Sequence, residues 1–486
     1  MSFDLQGRAV LAGILLASGA VCAAPMGVDE ARHLLNRTGF EAHAAEIDAV
    51  ARLSRKDAVE RVLAGTGTAA RNPAPQWIGE YIPPRRLRGL SDEERKQFQR
   101  QQVERALELK GWWIAEMLAT ASPLTERMTL FWHNHFTTSL QKVRSPSLVY
   151  RQNVLLRRHA LGNFGQLLHA ASKDPAMLVY LDAAANRRGQ PNENFAREVM
   201  ELFTLGEGHY SEQDVREAAR AFTGWSIEPE SGEFLWRPFA HDGGAKSVLG
   251  RSGEFKGDDV LDILLAEPRT AEFVVGTLWK EFVSPAPDVR EAGRIARAFR
   301  ESNYDVKTAL RALFTSDAFY ARENRGSLFK SPVDLVVGTM RQFDVAYSDP
   351  LPLTLLLRQL GQDLLSPPNV KGWPGGEAWI NSTTLLARKQ FLERLLRVDE
   401  SRMQAAMMEG APKGAANAGE VRARAVRASL DIRFSGSDWL RQFAGRDAPS
   451  GVQRVLLALS PASEAPQGQG MDLIRQIVAD PAYQLK

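Results

Sequence analysis

The sequence predicts an all-α protein: a multi-helical globular domain with a small inserted β-hairpin and a short helical C-terminal segment. Three observations point there. Stretches such as "VDEARHLLNRTGF", "DVREAARAFTGW", "VKTALRALFTSDAFY" and "TLLARKQFLERLLRV" set apolar residues three and four apart, the period of one helix face. Start and stop signals bracket these stretches: Ser122 with Pro123, Ser211 with Asp214 three residues on, and Gly206 and Gly224 after two helices. The composition, 44% apolar and 24% charged over 486 residues, suits a globular chain with a large core.

In chain order, residues 1–23 have the layout of a secretory signal peptide. Arg8 precedes an apolar run from Ala9 to Val21, and Val21 and Ala23 are the small residues that favour cleavage after Ala23. The run is too short to span a bilayer comfortably, so no transmembrane span is expected after cleavage. Cys22, the one cysteine, leaves with the leader, so no disulfide, thiolate metal site or cysteine nucleophile is expected in the mature chain. Residues 24–406 form the helical main domain, interrupted where "EFLWRPFAHDGGAKSVLG" alternates Phe234 and Trp236 ahead of an Asp-Gly turn, which predicts the hairpin. Residues 407–420, rich in Ala, Gly and Asn, make a flexible linker, and residues 421–486 a C-terminal helical segment.

The formal charge of +3 gives no electrostatic case for nucleic acid, and the removal of Asp4 and Arg8 with the leader leaves it unchanged. The densely charged "PPRRLRGLSDEERKQFQRQQ" alternates sign, as a solvated helix face does. Nucleophile-elbow, phosphate-loop, dinucleotide, zincin and haem-attachment motifs are all missing.

Four segments carry chemistry. In "MTLFWHNHFTTS" a helix ending near the hydroxyl run puts Met128, Phe131, Trp132 and His135 on one face and His133 nearly opposite, so the two histidines cannot grip one ion from a regular helix. His135 is either a core histidine bonded to a nearby carbonyl or carboxylate, or a ligand or proton-transfer residue. In "PNENFAREVMELFT" an apolar arc of Phe195, Ala196, Val199, Leu202 and Phe203 opposes a polar arc of Glu193, Asn194, Arg197, Glu198, Glu201 and Thr204. That polar arc is either a solvated face with Arg197 paired to Glu193 and Glu201, or a cavity wall with Glu198 as base and Arg197 as anion clamp. In "HDGGAK", His241 beside Asp242 is a candidate proton shuttle, with Lys246 close by in a tight turn. In "PPNVKGWPGGEAWINSTTLLAR", Trp373 and Trp379 are either a lid or sugar platform, or a packed turn.

These segments, with "MLVYLDAAANRRGQPNENFAREVMELFTLGEGHYSEQDVREAARAFTGWSI", follow one another as in the bacterial exported family known as domain of unknown function 1800, which the chain resembles over roughly residues 30–395. The resemblance implies a secreted, mostly helical protein whose gene often neighbours that of an exported alkaline-phosphatase- or sulfatase-like protein, a candidate partner. It places the family's polar motif positions on His135, Asn194, Arg197, Glu198, His241, Asp242 and Lys246, and it names neither metal nor cofactor.

Two functions are expected to compete. One is a periplasmic or secreted hydrolase of a polysaccharide or a sulfated or phosphorylated glycan. Its catalytic set would be His135, Glu198, His241 and Asp242, and its substrate contacts Asn194, Arg197, Lys246, Trp373 and Trp379. The other is a non-catalytic scaffold or binding protein that partners another exported protein.

Overall fold

The computed structural model describes residues 24–397, 432–443, 448–463, 466 and 468–486. The expected leader, 1–23, and the expected linker, 407–420, lie outside the described residues. Helices dominate, as expected, and they begin and end where the capping chemistry says they should. Pro123 opens the helix Pro123–His135, here called the histidine helix. Ser211 and Asp214 close a reciprocal capping box on Glu212–Ala221. Gly224, at φ +89, turns the chain out of that helix toward the first strand.

The strand segment differs from the expected single hairpin. Strand β1 (Trp225–Ile227) pairs antiparallel with β2 (Phe234–Trp236), so the aromatic run pairs backward along the chain. Strand β3 (Lys246–Val248) pairs with β4 (Arg251–Gly253) through a two-residue turn in which Leu249 and Gly250 both have positive φ. That turn chemistry matches the right-handed twist of a hairpin. The Asp-Gly turn at 242–244 instead links the two hairpins, because its groups are committed to the neighbouring helix.

The core is continuous from the first helix, Gly27–Thr38, to the last residues, with Trp113, Trp132 and Trp279 among its largest fully buried side chains. The described C-terminal residues are stitched into this body. Lys330 N donates to Gln484 O at 2.7 Å, Lys486 N donates to Leu328 O at 2.9 Å, and the Trp439 indole donates to Gln342 O at 2.7 Å. Among the described residues, no helix is long and apolar enough to cross a membrane.

Buried ion pairs fix the helices around the histidine helix. Glu126 is 1% exposed and takes Arg157 of the helix Pro146–His159 in a two-point pair, Nε to Oε1 at 2.5 Å and Nη2 to Oε2 at 2.9 Å. The Trp113 indole of the long helix Asp92–Ala119 donates to the same carboxylate at 3.1 Å. One carboxylate thus joins three helices, and every oxygen is used. On the outer side, His169 bridges two carboxylates of the helix Gly257–Ala266, with Nδ1 to Asp258 at 3.0 Å and Nε2 to Asp262 at 2.9 Å. The hydrogen bond to Asp258 is the largest cause that holds this imidazole above its usual range, and Lys173 also faces Asp258 at 2.6 Å.

Glu126→Ala strands the Arg157 guanidinium in the core, and a loss of about 3–5 kcal/mol in urea unfolding is expected; Glu126→Gln, which keeps a hydrogen-bond acceptor, should lose less. The His169 bridge stabilises the fold fully below the unfolded-state value of about 6.5 and loses its contribution as pH rises through the higher folded-state value. The stability gap between the wild type and His169→Gln should therefore shrink as pH rises from about 6.5 through the raised folded-state value. A gap that grows with pH would show that the bridge does not hold a proton.

Candidate functional site

The histidine helix ends where the hydroxyl run begins. Phe136 leaves helical geometry at ψ 64, and the Thr137 hydroxyl donates to the Asn134 carbonyl at 2.7 Å, satisfying one of the orphan carbonyls of the helix end. His135, on the last turn, is 9% exposed and sits in an aromatic nest of Phe131, Trp132, Phe136, Phe203 and Phe273. Its Nε2 lies 3.0 Å from the Phe203 carbonyl, a geometry in which the neutral ring donates. Burial pulls its imidazole down to about 4, so it is uncharged at neutral pH. His133 is also brought down to about 4 by burial and packs edge-on to Trp113 and near Trp373, on the other side of the helix.

Phe203 is placed by an irregularity absent from the sequence reading. The helix Glu193–Glu198 continues as a π-turn over Val199–Thr204, closed by Leu205 N donating to Met200 O at 2.8 Å. The extra residue per turn shifts the helical phase. Thr204, expected on the polar arc, is fully buried, and its hydroxyl donates to Val199 O at 2.7 Å. Arg197 keeps the expected Glu193 partner at 3.7 Å, but its two-point pair is with Glu212, at 2.7 Å for each bond, rather than with Glu201. Glu201 instead accepts from the Tyr210 hydroxyl at 2.5 Å and faces Lys371 at 3.7 Å.

The second glycine- and proline-rich segment folds back over the histidine helix. Asn369 Oδ1 accepts from Lys371 N at 2.9 Å, turning the chain, and Trp373 N then donates to Asn134 Oδ1 at 2.7 Å. Gly372 sits between them at φ +77, and a Cβ there would lie 2.1 Å from Asn134 Oδ1. Only glycine allows this approach. Beneath the loop lies a cavity of about 520 Å³ lined by Phe131, Asn134, His135, Trp373 and Trp379, among others. Its inner wall carries Arg127, Glu281, Asp334 and Lys486.

That wall is a buried ion network. Asp334, capping its own helix through the Ser331 amide at 3.0 Å, also accepts from Lys486 Nζ at 2.7 Å and from Arg127 Nη2. Burial alone would raise this carboxyl, but Arg127 and Lys486 hold it well below the usual range. Burial, reinforced by Arg127, pulls the Lys486 ammonium below its usual value. Arg127 Nη1 faces Glu281 at 3.4 Å, and its Nε is buried without a hydrogen-bond partner.

Of the residues singled out from sequence, His135, Trp373 and Trp379 meet at this cavity. Asn194, Arg197 and Glu198 do not line it. Asn194 is engaged at the start of its helix, its amide N donating to Asn192 Oδ1 at 2.9 Å. Glu198 is half-buried, and burial, followed by the charge of Glu201, raises its carboxyl. The "HDGGAK" turn closes on itself, also away from the cavity walls. Lys246 Nζ donates to the Asp242 and Gly244 carbonyls at 2.6 and 2.8 Å, Arg220 grips the Asp242 carboxylate, and His241 Nδ1 lies 3.0 Å from Thr223 O. The Arg220 hydrogen bond is the main cause that lowers the Asp242 carboxyl to about 2. Asn134, Arg127, Lys280, Lys371 and Lys486 line the cavity and were not singled out from sequence. Among the described residues, no group of three or more His, Cys, Asp or Glu side chains is arranged to hold a metal ion.

Fold and cavity define a predominantly helical protein with a partly open site walled by aromatic rings and cations. Over residues 33–485 the chain matches the family described as protein of unknown function (DUF1800), and it belongs to that family. No curated protein and no solved structure matches it.

Gly372→Ala should break the Trp373–Asn134 bond, speed amide hydrogen exchange across residues 369–379 and cost more than about 1 kcal/mol, since the backbone there is left-handed. Unchanged exchange in that loop would show that the close approach to Asn134 does not hold it.

Proposed function

We propose that this is an exported saccharide-binding protein and that the cavity beneath the Trp373 loop is its binding site. One observation carries the reading: His135, Trp373 and Trp379, drawn from segments more than two hundred residues apart, converge on one cavity of about 520 Å³. Volumes of this order suit a small ligand, and aromatic walls with a few polar groups suit the apolar face and hydroxyls of a sugar ring. Asn134 and the uncharged His135 supply hydrogen-bonding groups at the rim of the aromatic wall, and the leader-like first residues support export. An exported alkaline-phosphatase- or sulfatase-like protein is the partner this reading favours, and its co-purification from native envelope extract tests the pairing.

A hydrolytic role for the same protein has one observation in its favour. Glu198 is half-buried with a raised carboxyl, and Lys371, which lines the cavity, faces Glu198 and Glu201 electrostatically. A carboxyl raised by burial and by a carboxylate neighbour is the kind of group that general acids use. Glu198→Gln should then abolish glycan cleavage and spare binding; equal cleavage by the variant removes this role.

Binding is tested by titrating the protein with mono- and oligosaccharides while following tryptophan fluorescence. A saturable change is expected that weakens about tenfold in Trp379→Ala, the scale of one aromatic contact, and is unaffected in Arg197→Met. An absence of saturation with every sugar, or equal loss in both variants, would defeat the proposal.

A further inference from the structure

The charges of the cavity wall do not balance. Arg127, Lys280, Lys371 and Lys486 line it against only two carboxylates, Glu281 and Asp334. Lys371 has a partner outside the wall in Glu201 at 3.7 Å. Asp334 cannot serve further, because its two oxygens already receive Arg127, Lys486 and the Ser331 amide. Arg127 is 2% exposed; its Nη2 also donates to Gly39 O at 3.0 Å, its Nη1 faces Glu281 at a loose 3.4 Å, and its Nε is buried without a hydrogen-bond partner. Lys280 stands exposed at the same cavity with no ion pair among the described residues. A buried guanidinium with an unused donor is costly unless something accepts from it. That Nε is sealed from the cavity, so the opening for a ligand lies in the cation surplus of the wall: with Lys371 facing Glu201, exposed Lys280 is left without a carboxylate among the described residues, and a small oxyanion entering the cavity would offset its charge.

We propose that the wall formed by Arg127, Lys280 and Lys486 is an oxyanion subsite that receives the sulfate, phosphate or carboxylate group of the ligand. This rests on the saccharide reading of the cavity and adds the sign of the ligand's charge and the place where it sits. The two buried cations are held rigidly by Asp334, so they are arranged before the anion arrives. Lys280, at the mouth, supplies an adjustable third cation and long-range attraction. The anion clamp therefore lies in residues far along the chain from Arg197 and Lys246, both of which are satisfied by their own neighbours.

The test compares N-acetylglucosamine, N-acetylglucosamine 6-sulfate, inorganic sulfate and inorganic phosphate by calorimetric titration at low salt, on the wild type and on Lys280→Met. Lys280 is exposed and makes no ion pair among the described residues, so the variant is expected to keep the fold, and its melting temperature verifies this. The sulfated sugar is expected to bind at least about tenfold more tightly than the neutral one, with an advantage that falls with added salt. In Lys280→Met that advantage should drop severalfold while neutral-sugar affinity stays. Neutral sugar bound as well as sulfated sugar would overturn the subsite and leave the saccharide reading standing. Inorganic sulfate or phosphate bound in a Lys280-dependent way, with neither sugar bound, would uphold the subsite and defeat the saccharide reading. Sulfated-sugar binding identical in wild type and Lys280→Met would overturn the proposed clamp.

Discussion

The cavity depends on Asp334. This one carboxylate caps its own helix, anchors Arg127 of the histidine helix and ties down Lys486. Taking three ionised side chains out of water is unfavourable, and their mutual attraction offsets the loss only when hydrogen bonds are nearly complete. At Asp334 they are complete; at Arg127 they are not. The asymmetry makes the network a structural joint that leaves one buried donor without a partner. A neighbouring pair repeats the device, with Lys330 Nζ 2.9 Å from Glu41 Oε1 and its ammonium over the Tyr483 ring at 4.0 Å. Both pairs bring the end of the described chain against the middle of it.

Much of the fold was legible because local chemistry decides it. Pro123, through its fixed φ, and Ser211 with Asp214 and the Thr137–Ser139 run, through hydrogen bonds that reach only a few residues, mark helix ends. The reading of His135 as a ring bonded to a carbonyl also matches the geometry, since an aromatic nest leaves a histidine few other partners; that it lines a cavity as well could not be read from spacing. The hairpin was legible in kind but not in pairing. The Phe234–Trp236 alternation shows a strand, yet which strand it joins depends on whether the Asp242 turn is free, and Arg220 occupies it.

Two things were hidden for different physical reasons. The π-turn at Val199–Thr204 defeats any projection that assumes a constant 3.6-residue period, and it moved Thr204 inward and left Arg197 to Glu212. The cation wall was hidden by distance along the chain. Arg127 falls one residue before the histidine segment "MTLFWHNHFTTS", and Lys486 follows an unremarkable "VADPAYQ". Nothing local distinguishes a lysine that snorkels at a surface from one that crosses a core to a carboxylate 152 residues earlier. Such long-range pairs become visible only when packing is known.

The position of Lys486 also bears on how the site comes into being. Its carbonyl accepts from Arg37 across 449 residues, and its ammonium completes Asp334, so the earliest and latest helices must meet before the inner wall exists. Contacts of such separation close late in folding, after local helices have formed. Until those contacts close, the cavity has its aromatic wall and Arg127 but lacks the Lys486 ammonium that completes Asp334. The inner wall is therefore a late-forming feature, and the cavity takes its final electrostatic character only when these distant segments have packed together.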